Sequence, residues 1–167
     1  MGFSQVLEAL ADRRLEEAAA DLESALGLDC EEEMLALPLH LLALIEFLRR
    51  EPNNAVEFLE EVADIEQRLG YETLGDHSYK QVDLVADPEQ NLASLAKHYR
   101  EAIEAAQLKN NYLDAALSLK SLGELFLVRG ERDRAVGLFE KSRLMFKRAS
   151  DPAAGHLSQW CTLLATH

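Results

Sequence analysis

Five histidines, His40, His77, His98, His156 and His167, are the side chains of this sequence best suited to acid–base work or metal ligation. Asp76-His77 sets a carboxylate beside an imidazole. Adjacent residues on a helix point in different directions, so this pair would need a distant third ligand, and a polar loop pair accounts for it. Cys30 and Cys161 lie far apart, with no Cys-x-x-Cys spacing and no histidine cluster. They read as two reduced thiols rather than a zinc or redox motif. The carboxylate run Glu31-Glu32-Glu33 suits the first turn of a helix, where the dipole favours negative charge. Glu57 and Glu60-Glu61 read as a solvated face. There is no Gly-rich phosphate loop, no HExxH helix and no GxSxG elbow. No catalytic, metal-binding or cofactor-binding residue is assigned, no cofactor is expected, and the expected activity is non-enzymatic. Trp160, the single tryptophan, reads as a core anchor, with Cys161 packing beside it as a small hydrophobe.

Composition narrows the partner. The 167 residues carry 30 acidic against 17 basic side chains, a net charge of −13. Binding phosphate backbones or anionic lipids takes clustered Lys and Arg, so neither nucleic acid nor a membrane surface is expected as partner. The acidity keeps a helical surface soluble, or steers a basic partner. The start, Met-Gly-Phe-Ser-Gln-Val, lacks the basic and apolar regions of a secretory signal. The longest apolar stretch, Met34 to Leu48, contains Pro38, His40 and Glu46 and is too short and polar to span a bilayer. A cytoplasmic location is expected.

Leucine, alanine and glutamate dominate, and only four prolines and eight glycines interrupt them. With 48% apolar residues and no β-branched alternation, the fold class is all-α. Helices are expected over 3–12, 15–26, 31–50, 55–69, 91–108, 113–129, 133–149 and 153–165. A short one is expected over 77–85, inside the irregular stretch from Tyr71 to Gln90. Arg13-Arg14, Gly27-Leu28-Asp29, Gly70, Asp87-Pro88, Asn110-Asn111, Gly130 and Ser150-Asp151-Pro152 mark joints, and Pro52 with Asn53-Asn54 a turn and cap. A pattern recurs along these helices. Ala18, Leu22 and Ala25 are followed 37 residues later by Ala55, Leu59 and Val62. After a further 40 come Leu95, Tyr99 and Ala102, and 40 later Ala135, Phe139 and Ser142. A period in this range, filled by helix pairs, signals a solenoid. One domain is expected over 1–167, with units of about 1–28, 31–70, 71–109 and 112–149 and a final helix over 153–166.

The segment EAIEAAQLKNNYLDAALSLKSLGELFLVRGERDRAVGLFEKSRLMF, Glu101 to Phe146, resembles the tetratricopeptide repeat (TPR) family in its long form of about 40 residues. The matching residues are Leu119, Leu122-Gly123 and Phe126, then Gly130 at the turn, then Ala135 and Phe139. Ser142 stands where the family has alanine. The other units match less closely. Ala43 takes the glycine place beside Leu39 and Leu42, Asp83 takes it beside Tyr79, Val82 and Ala86, and Val6 takes it in the first. The resemblance implies a right-handed solenoid of antiparallel helix pairs with a C-terminal capping helix.

It also implies a concave face built by the first helix of each unit. The positions that resemblance exposes are Phe3 and Leu7; Leu37, His40, Leu44 and Phe47; Lys80 and Leu84; and Lys120, Glu124 and Leu127. Lys120 would suit a clamp for a carboxylate tail, but Glu124 would repel it. The expected partner is therefore a protein or peptide segment with apolar anchors, held by an adaptor. The same Leu37, Leu44 and Phe47 could instead be core. Three other roles are carried: a small dedicated chaperone or regulatory subunit, motivated by Met34 to Leu48; homodimerisation through that surface; and an enzyme with a site in 71–90.

Overall fold

Six consecutive helices begin twenty residues apart, at positions 32, 52, 72, 92, 112 and 132. Residues 5, 8–9, 14–26, 32–149, 151 and 153–166 are described by a computed structural model. They form α1 (Leu15–Leu26), α2 (Glu32–Leu48), α3 (Pro52–Arg68), α4 (Glu72–Ala86), α5 (Leu92–Leu108), α6 (Tyr112–Val128), α7 (Arg132–Arg148) and α8 (Ala154–Thr166). Among the described residues there is no strand. Phe3, Leu7, Cys30, the Gly27-Leu28-Asp29 joint, Ser150, Pro152 and His167 lie outside the described residues.

The register comes from one turn used four times. Arg50, Gly70, Asn110 and Gly130 all have left-handed φ, between 53° and 84°. At each, two backbone N–H groups fold back onto the end of the helix: Gly130 N donates to Leu127 O at 3.0 Å and Glu131 N to Phe126 O at 2.9 Å. The same pair of bonds recurs at Arg50 and Glu51, at Gly70 and Tyr71, and at Asn110 and Asn111. This arrangement satisfies carbonyls that a helix end leaves orphaned, and glycine takes the left-handed position without a Cβ penalty. After α2, α3, α5 and α6, seventeen helical residues plus a three-residue turn make the twenty-residue step, and α4 makes it with fifteen helical residues and a five-residue joint.

Two sequence expectations change at helix starts. Pro52 opens α3 at its first turn instead of closing the turn before it, and Glu51 is the cap residue. That suits proline, whose missing N–H would be unpaired there anyway. Asn54 then does not cap; its amide donates to Glu46 Oε2 at 3.3 Å. The short helix expected over 77–85 is the full α4, beginning at Glu72. Gly75 N donates to Tyr71 O at 3.0 Å, so the glycine sits inside the helix. It also makes room, because a Cβ there would meet the Gln67 side chain at 2.5 Å.

The chain divides into two compact units, Met1–Gln90 and Asn91–His167. In the first, α1 packs on α2, α2 on α3 and α3 on α4. The three-residue turns after α2 and α3 make those helices and their successors antiparallel neighbours. α2 is apolar around most of its circumference and is buried from Leu39 to Glu46. In the second unit, α5 packs on α6, α6 on α7 and α7 on α8. Here α6 is buried without a break from Ala115 to Val128. Gly123 lets it approach α7 closely, since a Cβ at this position would lie 2.7 Å from the Phe139 ring. Ser142 donates from Oγ to Ala116 O at 2.7 Å. That carbonyl partner is what lets a hydroxyl be buried between α6 and α7 at little cost.

Candidate functional site

The residues expected to line a groove are mostly inside. Leu37, His40, Leu44, Lys120, Glu124 and Leu127 are buried. Phe47 and Leu84 are half-buried, and Lys80 alone is exposed. The expected exposure of the six is therefore corrected. The physical reason lies in α2 and α6, whose apolar residues run all round the helix and leave no face that gains by meeting water. The Met34 to Leu48 stretch is accordingly covered from Ala36 to Ile45 apart from Pro38, which is half-buried.

Two of these residues meet each other. Lys120 Nζ donates to Glu124 Oε1 at 2.8 Å, one helical turn apart in α6. The ammonium also lies 5.2 Å from the centre of the Trp160 ring in α8. Trp160 is 2% exposed, so the ring and the cation are both withdrawn from water, where a cation–π contact is strongest. Glu124 Oε2 has no hydrogen-bond partner among the described residues. Beside the pair, Cys161 Sγ contacts Ser142 Oγ at 3.5 Å. Burial pushes the Cys161 thiol from its ordinary 9.0 up to about 11, against smaller downward pulls from the Ser142 hydroxyl and the Lys120 ammonium. Native protein thus keeps a proton that the unfolded chain releases near pH 9. Stability from the neutral thiol is complete below pH 9 and is lost as pH rises to about 11. Cys161→Ala is expected to flatten the alkaline fall in unfolding free energy over that window; an unchanged slope would contradict it. At pH 8 alkylation in a Cys30→Ser background should run about 100-fold below a free thiol, from the two-unit shift alone.

The first unit holds its own buried polar group. Ser78 Oγ in α4 donates to Glu66 Oε1 in α3 at 2.5 Å, and His40 Nε2 in α2 lies 3.8 Å from the same oxygen. Gln81 Nε2 lies 3.1 Å from His77 Nε2. A hydroxyl, an imidazole and a carboxylate are the components of nucleophilic catalysis, but their order differs here. The hydroxyl donates to the carboxylate and not to the imidazole that would have to accept its proton. His40, Glu66 and Ser78 are all buried. The cluster satisfies buried polar groups at the α2–α3–α4 contact and does not present them to a substrate. Asp76 accepts from Gln67 Nε2 at 3.3 Å. Among the described residues no group of three His, Cys, Asp or Glu is placed to hold a metal ion. No helix among them is long and apolar enough to cross a membrane.

The feature that motif reading missed is basic. Arg100 of α5, Arg129 after α6 and Arg134 of α7 all surround Phe126, with guanidinium carbons 5.9, 5.8 and 5.6 Å from the ring centre. Glu131 bridges two of them, Arg129 at 3.1 Å and Arg134 at 3.5 Å. Charge is also unevenly divided. Positions 1–90 carry 22 acidic and 6 basic residues, net −16, while 91–167 carry 8 acidic and 11 basic, net +3. Counting charge by halves would have exposed this; the total of −13 hides it. Elsewhere in the second unit, an open cleft of about 560 Å³ is lined by Lys109 to Leu113 with Arg148, Ala149 and Asp151. Its capping groups are already used: Asn111 Oδ1 accepts from Asp114 N at 3.2 Å, and its amide donates to Asp114 Oδ2 at 2.6 Å.

No family model matches this chain, and no curated protein or solved structure matches it either.

Proposed function

We propose that the chain is a non-enzymatic protein-interaction module, a TPR-like right-handed solenoid of antiparallel helix pairs in which α8 is the capping helix. The observation that carries this reading is the twenty-residue register of α2 to α7, with each helix packed on the next within its unit. Arrays built by such nearest-neighbour packing present an extended surface whose usual output is binding. The Gly123–Phe139 approach supports the family likeness, since it places the family's small residue against its aromatic. The partner is a protein or a segment of one.

The contact surface differs from the groove drawn from the repeat pattern. Leu37, Leu44 and Leu127 are core, so apolar anchoring through them would require opening the helices. The burial of α2 also removes the motive for a chaperone that shields a sticky helix, and for a dimer through it. What remains for a partner is the exposed surface, charged for the most part, with Tyr79, Leu108 and Leu144 as its large apolar side chains among the described residues. The test is affinity capture with the full chain, followed by reconstitution of the complex from purified components. A partner polypeptide held in fixed stoichiometry supports the module. Turnover of a small molecule by the purified chain, with no such partner, overturns it.

A further inference from the structure

We propose that the cleft between the α5–α6 turn and the end of α7 binds a small phosphate monoester, an activity independent of reading the chain as a protein-interaction module. The cleft lies within the second unit, and Lys109 and Arg148 are the cations that line it. Both are exposed, and neither forms an ion pair or a side-chain hydrogen bond among the described residues. In this they differ from cations whose N–H groups are already taken, such as Arg134 by Glu131, Arg143 by Glu140 and Lys97 by Glu101.

Arg148 is nevertheless positioned. Its guanidinium carbon lies 5.9 Å from the centre of the half-buried Tyr112 ring. A guanidinium over an aromatic ring uses its face there and keeps its N–H edge for an oxyanion. A side chain ordered in advance loses less freedom when a ligand binds. Backbone donors add to the two cations. The first N–H groups of a helix have no acceptor within it, and Asn111 Oδ1 takes only that of Asp114. Those of Tyr112 and Leu113, both lining residues, stay outside the bonding of α6.

The opposing charge is small. Asp151 is the one carboxylate lining the cleft, and its Oδ1 already accepts from Ala153 N at 2.9 Å, ahead of α8. Asp114, inside the first turn of α6, accepts the Asn111 amide at 2.6 Å. The chain's net −13 does not decide the matter, because exposed charges more than about 8 Å away are largely screened at physiological salt.

Charge and size select the ligand. A carboxylate is satisfied by the fork of Arg148 alone. A phosphate monoester carries about −1.5 to −2 charges at pH 7 and three acceptor oxygens, enough for Arg148 and Lys109 together. The volume of about 560 Å³ falls within the roughly 300–1,000 Å³ of small-molecule sites, so the organic body that bears the phosphate has room. Two cations are too few for a nucleic-acid track, whose affinity is built from many phosphate contacts.

The test is a phosphorus NMR titration of glycerol phosphate with the full chain at about 50 mM salt, where screening is weak. Saturable binding with a Kd of about 1 mM or tighter is expected. Lys109→Gln and Arg148→Gln should each weaken it at least about tenfold with an unchanged melting temperature. Lys109→Gln breaks no side-chain bond or ion pair among the described residues, so it keeps the test decisive if Arg148→Gln, which loses the Tyr112 ring, does not fold. Lys97→Gln, on α5 and outside the cleft, should bind like wild type. Four results would overturn the proposal: no saturable binding by wild type, equal binding by Lys109→Gln, an equal loss in Lys97→Gln, or acetate binding as tightly as glycerol phosphate. A phosphoserine peptide bound at least about tenfold more tightly than glycerol phosphate would overturn the small-molecule assignment and give the cleft to a phosphorylated polypeptide.

Discussion

Lys120→Met is expected to destabilise the protein by about 3–5 kcal/mol. The reason is what remains behind. Glu124 is 2% exposed and its Oε2 already lacks a hydrogen-bond partner among the described residues. Without the ammonium at 2.8 Å, the carboxylate is buried with nothing to offset its lost hydration. Trp160 also loses the cation 5.2 Å from its ring. The melting temperature should fall by on the order of 10 °C, read by circular dichroism. Removing both charges, as Lys120→Met/Glu124→Leu, should recover most of the loss, because a buried ion pair is seldom better than packed apolar atoms of similar volume. A single variant within about 1 kcal/mol of wild type would show that water reaches the pair.

Gly123→Leu is expected to cost at least about 3 kcal/mol and to unfold the second unit ahead of the first. Even the first carbon of a side chain would sit 2.7 Å from Phe139 Cε1 and 2.9 Å from Cδ1. The ring has no room to retreat, being 0% exposed, so α6 and α7 must separate. Gly123→Ala should cost about 1–3 kcal/mol, and Phe139→Leu in that background should return part of it by vacating the space. Urea melts followed by Trp160 fluorescence, which reports on the second unit, check both. If Gly123→Ala melts like wild type, the close approach of the two helices is wrong.

The helices were legible because their signals are local. Gly70 and Gly130 mark helix ends by the φ they permit, and α1, α5, α6 and α7 lie within a residue of their expected bounds. Arg50 shows the limit of that reasoning. It takes the same left-handed turn as Gly70 and Gly130, and its residue type carries no such signal. The candidate site was harder to read because exposure is decided by several helices at once. Lys120 and Glu124 look like surface charges when α6 is taken alone; only the packing of α6 against its neighbours and Trp160 above Lys120 put them inside. The three arginines lie 29 and 5 residues apart along the chain, and no motif links them; the turn after α6 and the packing of α5 bring them to one ring.

The central claim is that this chain works by holding another polypeptide. The measurement that tests it most directly is size-exclusion chromatography with light scattering on tagged full-length chain recovered from the cells that express it. The expected result is a second polypeptide co-eluting in fixed stoichiometry, released by high salt and restored when the purified components are mixed again. The contradicting result is the chain eluting alone at every salt concentration.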